Sequence, residues 1–553
     1  MKKHISIQAH VPISLPRERT LVVFLLSTLY ALLFTLYSCT PSLPDEAEEA
    51  GRMAQTMPDN AGATLPPNIA PLNFEIQEDG DAYVTRFSTK VGEWLVVGGQ
   101  SVDISLNDWQ RLLQSAVGDT LWTDIYVRHD GRWIHFDRMA NPVVADSIDP
   151  YITYRLIRPG YITYEELTIN ERCLESFDER IVYENMSLNQ GENGQCINCH
   201  VPQGQGQNGR SQFHVRQALG GTVFIDGTHI TKVNLKTDST LSAGVYPAWH
   251  PTLNLIVYSV NETGQAFHTL DPQKIEVIDY ASDLILYDPE RNEVLSIGRT
   301  ATEYESVPCW SPDGKTLYYI SAHHDPVGDD IDADLDQNYQ TLHYNIYARD
   351  FDAETRRFGP SRMVLDAESL GKSASTPRVS PDGRWLLCSL ADYGQFHIWH
   401  KSADLAMVKL ETLEALESLE SLEILENLNS PESESYHAWS SNGRWILFSS
   451  RRDDGNYTRL YMAYFDRNGH AHRPFLLPQR RPSHDQSLLR SYNAAEFMVQ
   501  AVQPTRKQLL SAVRADAHPV TYGGSALLVS ERDSIAAPLR VAKQNHHNIY
   551  END

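Results

Sequence analysis

The segment Pro308-Cys-Trp-Ser-Pro-Asp-Gly314 decides the fold because it recurs along the chain. The other copies are Pro247-Ala-Trp-His-Pro251, Pro377-Arg-Val-Ser-Pro-Asp-Gly383 and His437-Ala-Trp-Ser-Ser-Asn-Gly443. The Trp or Val stands at positions 249, 310, 379 and 439, at intervals of 61, 69 and 60 residues. Each copy leads into an apolar strand, and the aromatic residue is expected to pack between adjacent sheets. The repeat therefore predicts the radially stacked sheets of a β-propeller.

Pro-x-Trp-Ser-Pro-Asp-Gly followed by an apolar strand resembles the blades of TolB-type propellers, over roughly residues 221–480. This resemblance implies about six blades, of which four are plain in the sequence. Two segments interrupt the pattern. Residues 404–428 repeat Leu-Glu and suit either an amphipathic helix or a neutral surface loop. Residues 329–336 alternate acids and suit either Ca²⁺ ligands or a solvated acidic loop.

Apolar and polar residues alternate over residues 66–163, as in Tyr83-Val-Thr-Arg-Phe-Ser88, and predict a β-sandwich-like domain. In residues 164–220, Leu174, Phe177 and Ile181 fall at helical spacing, so we expect a short helical segment there. The fold class predicted from the sequence is mainly β, with this helical segment between a sandwich and the propeller. We assign residues 481–553 to a C-terminal segment and tail.

Cys196-Ile-Asn-Cys-His200 has the C-x-x-C-H form of c-type haem attachment. Its two thiols can form thioethers with the haem vinyl groups, and the adjacent imidazole can then bind the iron. A redox dithiol or half of a zinc site is the chemical alternative. No βαβ pattern surrounds the motif and no second C-x-x-C exists, so one covalent haem c held by Cys196, Cys199 and His200 is the preferred interpretation.

The sixth iron ligand is left open by the sequence. His214 can return to the motif across a loop rich in Gly and Gln, while Met186 and His229 are further candidates beside another residue or an open site. A Met ligand raises the reduction potential relative to His. Arg216 is either a partner for a haem propionate or an ordinary surface residue. Among the remaining cysteines, Cys309 and Cys388 are expected to be buried thiols.

The setting of His214 resembles the segment after C-x-x-C-H in haem-bearing propeller lipoproteins of Bacteroidota, which are assigned to the cytochrome c family. Three other segments share this resemblance: Pro66-Pro-Asn-Ile-Ala-Pro-Leu-Asn73, Asp149-Pro-Tyr-Ile-Thr-Tyr-Arg155 and Ser449-Ser-Arg-Arg-Asp-Asp-Gly455. The resemblance spans most of the chain after residue 65. It implies an architecture, a lipid-anchored propeller with one haem, and does not name a reaction.

The N-terminus predicts export. Residues 21–37 form an uncharged apolar run behind a basic segment and end in Leu36-Tyr-Ser-Cys39, which resembles the lipobox of bacterial lipoproteins. We expect a signal peptide over 1–38, acylation of Cys39 and an acidic tether over 39–65; a retained transmembrane helix is the alternative. The expected location is the bacterial envelope, on the periplasmic or surface face of the outer membrane.

The formal charge of −25 disfavours nucleic acid as a partner. The first functional hypothesis is electron transfer with an envelope redox protein that docks on the propeller. The second is a propeller scaffold for envelope proteins, with a structural or sensing haem. The third is a haem enzyme in which His229 or His250 acts as acid or base. A propeller-bearing hydrolase is disfavoured because the chain has no Gly-x-Ser-x-Gly motif.

Overall fold

The computed structural model describes residues 41–158, 166–188, 195–268, 273–300, 302–325, 327–328, 330–410 and 421–528. They form an N-terminal β domain and a β-propeller, as the sequence predicts. The predicted signal peptide and Cys39 lie outside these residues. Within them, no helix has the length and hydropathy needed to cross a membrane.

The N-terminal domain has two sheets and one helix around a shared core. Its elements are β1 (Glu48–Glu49), β2 (Thr56–Met57), β3 (Phe74–Ile76), β4 (Ala82–Ser88), β5 (Trp94–Gly98), β6 (Ser101–Val102), α1 (Leu106–Ala116), β7 (Asp119–His129), β8 (Arg132–His135) and β9 (Met139–Val143). One sheet has the order β1-β8-β7-β4-β5 with β9 on β7, and the other has the order β2-β3-β6. Phe87 makes edge contacts with Phe74 of the small sheet and Trp109 of α1, so one core joins all three layers.

Residues 41–65 are part of this domain, and the prediction of a tether over 39–65 is wrong for them. β1 pairs with β8 and β2 pairs with β3. Ala63 and Leu65 are fully buried, and the Leu65 amide donates to the Pro142 carbonyl at 2.8 Å. The composition of the segment resembles a linker, but its backbone is held by strands that lie far away in sequence.

The remaining strands build the propeller. In chain order they are β10 (Tyr151–Ile157), β11 (Thr168–Cys173), β12 (Glu179–Glu184), β13 (Gln195–Pro202), β14 (Arg210–Gln217), β15 (Gly221–Asp226), β16 (His229–Asn234), β17 (Val245–Trp249), β18 (Ile256–Phe267), β19 (Ile275–Asp288), β20 (Glu293–Ser296), β21 (Glu303–Trp310), β22 (Thr316–His323), β23 (Asn345–Asp352), β24 (Arg357–Leu365), β25 (Ser373–Val379), β26 (Trp385–Ala391), β27 (Asp404–Lys409), β28 (Leu422–Ile424), β29 (Glu434–Trp439), β30 (Trp445–Ser450), β31 (Arg459–Tyr464), β32 (Phe475–Leu476), β33 (Ser491–Met498), β34 (His518–Pro519) and β35 (Thr521–Ser525). Three helices accompany them, α2 (Ile331–Asn338), α3 (His484–Ser487) and α4 (Arg506–Arg514).

These strands form six blades. Blade 1 has the order β33-β10-β11-β12, and blades 2 to 6 begin with β13, β17, β21, β25 and β29, with β34 and β35 added to the outer edges of blades 2 and 3. These five strands and β33 contact one another in a ring and line the axis. Because β33 pairs with β10, the C-terminal part of the chain closes the ring. The propeller therefore begins at Tyr151, not at residue 221.

The predicted helical segment between the two domains is wrong. Residues 168–173 and 179–184 are the outer strands of blade 1, and Cys196 to His200 lie in the innermost strand of blade 2. Leu174 is buried while Ile181 is 41% exposed, so the apolar residues at helical spacing do not share a face.

The two interrupting segments also have defined places. Residues 331–338 form helix α2, so the acidic segment is neither a calcium loop nor an open solvated loop. In it, Asp334 accepts from His324 Nε2 at 2.9 Å and Asp336 accepts from the Tyr280 hydroxyl. In the Leu-Glu segment, Asp404–Lys409 and Leu422–Ile424 are the paired strands β27 and β28, so these two stretches are not helical; residues 411–420 lie outside the described residues.

Each innermost strand is interrupted by the same bulge. Its pairing skips two residues, and the first of them has a positive φ of 44–54°. The six positions are Ala494, Cys199, Tyr246, Val307, Thr376 and Tyr436. The Trp three residues later joins neighbouring blades: the Trp310 indole donates to the Ala248 carbonyl at 3.2 Å. The repeat thus encodes a bulge and a link between blades.

Candidate functional site

The C-x-x-C-H motif occupies the bulge of blade 2. Cys199 and His200 are the two residues that the β13–β14 pairing skips, so they correspond to Tyr246-Pro247 of blade 3 and Tyr436-His437 of blade 6. A strand bulge redirects side chains and is common beside functional sites. The side chains of Cys199 and His200 therefore do not follow the regular alternation between the two faces of the strand.

The motif lies near one end of the propeller, here called the mouth. The innermost strands begin at this end, where one blade connects to the next, and Cys196 is the second residue of β13. Alternate connections within the blades reach the same end, among them the segment 392–403 of blade 5. Propeller side chains at such an end come from several blades and can converge on one ligand.

The two thiols have different neighbours. Cys196 accepts from Asn198 Nδ2 at 3.1 Å and lies opposite Arg216 on β14. Burial raises the pKa of the Cys199 thiol, while the guanidinium groups of Arg216 and Arg155 and the backbone of Tyr246 oppose this rise. All five described cysteines are free thiols. Cys199 is thus close to cations from blades 1 and 2, which can bind carboxylate groups of a ligand.

The His200 imidazole is buried without a hydrogen bond. It is 6% exposed, and neither ring nitrogen has a partner among the described residues. Burial lowers its pKa to about 4, and the nearby Thr153 backbone of blade 1, which does not make a hydrogen bond of normal geometry with the ring, opposes this. A buried polar ring usually has a partner, because an unsatisfied group costs about 1–3 kcal/mol. His200 therefore has the environment of a residue whose partner is a bound group.

His214 faces away from His200. Phe213 and Val215 pack with Tyr183 of blade 1, so His214 between them points toward blade 3 and bonds to Thr222 Oγ1 at 3.1 Å through Nδ1. Burial, with a smaller effect of Arg216, lowers its pKa to about 3. Since the surroundings of His200 include Thr153 of blade 1, the fold does not bring the two histidines together.

The other candidate ligands, His229, His250 and Met186, lie in three different parts of the propeller. His229 is exposed at the turn between the two outer strands of blade 2. His250 is buried and holds two turns together, since Nδ1 accepts from the Leu253 amide at 3.0 Å and Nε2 donates to the Gly314 carbonyl at 3.1 Å. Met186 lies in a short 3₁₀ turn that contacts β13 and connects blade 1 to blade 2. Of these three residues, Met186 is the one at the mouth.

An ion pair joins two innermost strands one level beyond the bulges. Arg378 of blade 5 and Glu496 of blade 1 are 3.7 Å apart, measured from Nη2 to Oε1. Blade 6 lies between these two blades. Its corresponding residue is Ala438, whose small side chain leaves room for the contact. Burial raises the pKa of Glu496, and Arg378 opposes the rise. The sequence carries no signal for this pair because Glu496 lies outside the recognisable repeats.

A second missed cluster lies at the mouth between blades 3, 4 and 5. Asp279 is 2% exposed and accepts from the Tyr344 hydroxyl at 2.7 Å and from the Gln395 amide. Burial raises its pKa to about 6. Nearby, Glu276 accepts from the Tyr393 hydroxyl at 2.9 Å and from His400 Nε2 at 3.2 Å. These acids are satisfied by protein donors and stabilise the connections between blades.

The residues of the motif fit a covalent haem in their donor chemistry. Two free thiols are separated by two residues, the adjacent imidazole lacks a partner, and the buried Nε of Arg155 also lacks one among the described residues. A zinc site fits less well, because the described residues contain no group of three or more His, Cys, Asp or Glu side chains arranged to hold a metal ion. His214 faces blade 3 and His200 lies beside Thr153 of blade 1, so the two histidines as placed would not hold the same iron.

No model of a known protein family matches the chain, and no curated protein matches it. Solved structures match at low similarity. An oligogalacturonate lyase in complex with manganese is 10% identical, with a TM-score of 0.33, over 60% of this chain and 74% of the lyase. A puromycin-hydrolysing peptidase of Mycobacterium tuberculosis is 14% identical, with a TM-score of 0.30, over 66% of this chain and 52% of the peptidase. The Dos1 propeller is 9% identical, with a TM-score of 0.30, over 77% of this chain and 87% of that structure.

Proposed function

We propose that this protein is a monohaem electron carrier of the bacterial envelope, with haem c attached to Cys196 and Cys199 and bound axially by His200. The observation that supports this most is the unpartnered, buried His200 ring directly after the two free thiols. Haem iron in such a site exchanges single electrons. The two thiols would attach the group, His200 would supply a neutral nitrogen to its iron, and Arg155 and Arg216 would pair with its carboxylates.

The neutral state of His200 suits this role. Its pKa of about 4 keeps the imidazole unprotonated at neutral pH, and an unprotonated nitrogen is what a metal requires. Cys199 is held close to two cations, which favours a ligand with negative groups on that side. The chain charge of −25 would attract a basic redox protein to the propeller.

The test is a reduced-minus-oxidised visible spectrum of protein matured in a host with c-type haem assembly. We expect a c-type spectrum in the wild type, a changed spin state in His200→Ala, and an unchanged spectrum in His437→Ala. His437 is the matched control because it occupies the corresponding bulge of blade 6. A spectrum that His200→Ala leaves unaltered would rule out His200 as the axial ligand.

A second candidate function is a propeller scaffold for envelope proteins. The observation that favours it is that Cys199-His200 replaces Tyr-Pro or Tyr-His of other blades in the same bulge, so the motif also has a structural role. If the wild type assembles with its envelope partners without passing electrons to them, and the variant with serine at both Cys196 and Cys199 assembles equally well, the scaffold is favoured. Loss of electron transfer in that variant, with binding retained, would favour the carrier.

We also propose that Cys39 is acylated and holds the protein on a membrane surface. The intact masses of the exported wild-type chain and of Cys39→Ser test this. The support is the sequence Leu36-Tyr-Ser-Cys39 after the apolar run 21–37. Acyl chains bury enough methylene groups to retain a folded domain at a bilayer. A mass without acyl groups would overturn this part of the proposal and leave the haem site untouched.

A further inference from the structure

The N-terminal end of the described chain lies on the edge strand β5. A Cβ atom at Gly98 would lie 3.1 Å from Pro41 Cβ, so Pro41 packs directly on the end of this strand. β5 pairs with β4 on one side and has no other partner strand among the described residues. The backbone of residues 41–65 is already held in the domain. Cys39, two residues before Pro41, can therefore extend no more than about 7 Å from it.

Apolar side chains are exposed along the same strand. Trp94 is 59% exposed and Val91, in the turn before it, is 72% exposed. Alternate residues of a strand share a face, so Trp94, Val96 and Gly98 lie on one face of the sheet. Pro41 packs on this same face at Gly98. Trp94 and Gly98 are about 13 Å apart along the strand. The exposed Trp and the attachment point thus lie at two ends of one short surface.

The charges around this surface balance, since Arg86 of β4, opposite Val96, and Asp108, 3.2 Å from Arg111, add one charge of each sign to two ion pairs. Lys90 Nζ lies 3.7 Å from Asp119, and Arg111 lies 3.1 Å from Glu93. The local surface is therefore close to neutral although the whole chain carries −25. A neutral patch with an exposed Trp suits the headgroup region of a zwitterionic bilayer, where Trp is enriched because its ring is apolar and its N–H is polar.

We propose that β5 and the turn before it are the membrane-contacting surface of this protein, with Trp94 and Val91 in the headgroup region of a zwitterionic bilayer. The inference rests on the proposed acylation of Cys39 and not on the haem. Because the chain between Cys39 and Pro41 is so short, the anchor draws the Pro41 face of β5 to the lipid surface. The domain then has one fixed orientation on the membrane and does not rotate freely on a tether.

The test uses the full acylated chain on phosphatidylcholine vesicles with and without bromine on the upper part of the acyl chains. Bromine quenches tryptophan emission at short range, and the ratio of the two emissions for one variant cancels quenching inside the protein. We expect a drop that corresponds to one tryptophan among ten. Trp94→Phe, which keeps an apolar ring, is expected to remove the drop. Trp133→Phe is the control, since Trp133 lies on β8 beyond β7 and β4 in the same sheet, and it is expected to retain it.

Equal emission of the wild type in both vesicles would overturn the inference, and so would a drop that persists in Trp94→Phe or disappears in Trp133→Phe. The intact mass separates this failure from that of the anchor. An acylated chain with unquenched Trp94 overturns the contact surface alone. A chain without acyl groups overturns the anchor and the contact surface together.

Discussion

His200 of blade 2 and His437 of blade 6 occupy the same position in the bulge of an innermost strand, but their rings differ in partners. His437 Nε2 lies 3.2 Å from the Leu387 carbonyl, whereas neither ring nitrogen of His200 has a partner among the described residues. Both rings are buried. The same bulge therefore holds the His437 ring by a hydrogen bond and leaves the His200 ring without one, available to a bound group.

This difference predicts different effects on stability in protein made without haem. We expect His437→Ala to lower the free energy of unfolding by about 1 kcal/mol more than His200→Ala, because it leaves a buried carbonyl without its donor. Urea denaturation of the two variants measures this. An equal or larger loss in His200→Ala would mean that its ring has a structural partner.

The Asp-Gly turns of two blades provide a matched test of packing between blades. Gly314 and Gly383 have φ values of +71° and +73°, but a Cβ at Gly314 would lie 2.4 Å from the His250 ring, while at Gly383 the nearest atom is Pro312 Cγ at 4.0 Å. Alanine at either site costs about 1 kcal/mol for the backbone. We expect Gly314→Ala to cost about 1–3 kcal/mol more. Equal unfolding midpoints for the two variants would contradict this packing.

Asp279 predicts a pH dependence of stability. Its pKa rises from 3.8 to about 6 on folding because it is buried. As the pH increases from 4 to 6, the unfolded chain loses this proton first, so the contribution of Asp279 to stability is fully present below pH 4 and is lost through this window. The shift corresponds to about 3 kcal/mol. The pKa of buried Glu305 is also raised, to about 7, so Asp279→Asn is expected to reduce the fall by about 3 kcal/mol, without abolishing it, in urea titrations at pH 4 to 7.

Asp392 is the control for this experiment. Its pKa is lowered by the hydrogen bond from Lys372, so its contribution is present above the unfolded pKa and is lost as the pH decreases. Asp392→Asn is therefore expected to leave the fall between pH 4 and 6 in place. The same flattening in both variants would show that Asp279 is not its source.

The placement of the candidate ligands predicts which residue affects the spectrum. Met186 lies in the turn that contacts β13 at the mouth, whereas His214 faces blade 3. With Met186 as the second iron ligand, Met186→Ala would change the absorption spectrum and lower the reduction potential, because Met ligation raises the potential, and His214→Ala would leave both unchanged. A redox titration decides between them. A change of spin state in His214→Ala alone would require a rearrangement of blade 2.

The sequence predicts the propeller because four blades carry the Trp or Val repeat, and it hides the other two. At the same bulge, blade 1 has Ala494-Ala-Glu-Phe497 and blade 2 has Cys199-His-Val-Pro202. Neither retains both the Pro and the Trp. The strand that closes blade 1 comes from residues 491–498 and pairs with residues 151–157, a contact between distant parts of the chain that no local pattern reveals.

The motif residues were predictable from their spacing, but their directions were not. A regular strand would place His200 and His214 by simple alternation. The bulge at Cys199 and His200 breaks this alternation, and it depends on the pairing with β14. The burial of Asp279 and the ion pair between Arg378 and Glu496 likewise arise from contacts between blades, so composition and spacing carry no signal for them.

The most direct test of the proposed function is the intact mass, under denaturing conditions, of the protein matured in a host with c-type haem assembly. The account predicts an excess equal to one haem in the wild type and in Cys388→Ser, whose buried thiol lies in blade 5. It predicts no covalent haem when Cys196 and Cys199 are both serine. A wild-type mass without haem, in a host that loads a known c-type cytochrome, would contradict the account and leave the propeller scaffold as the better description.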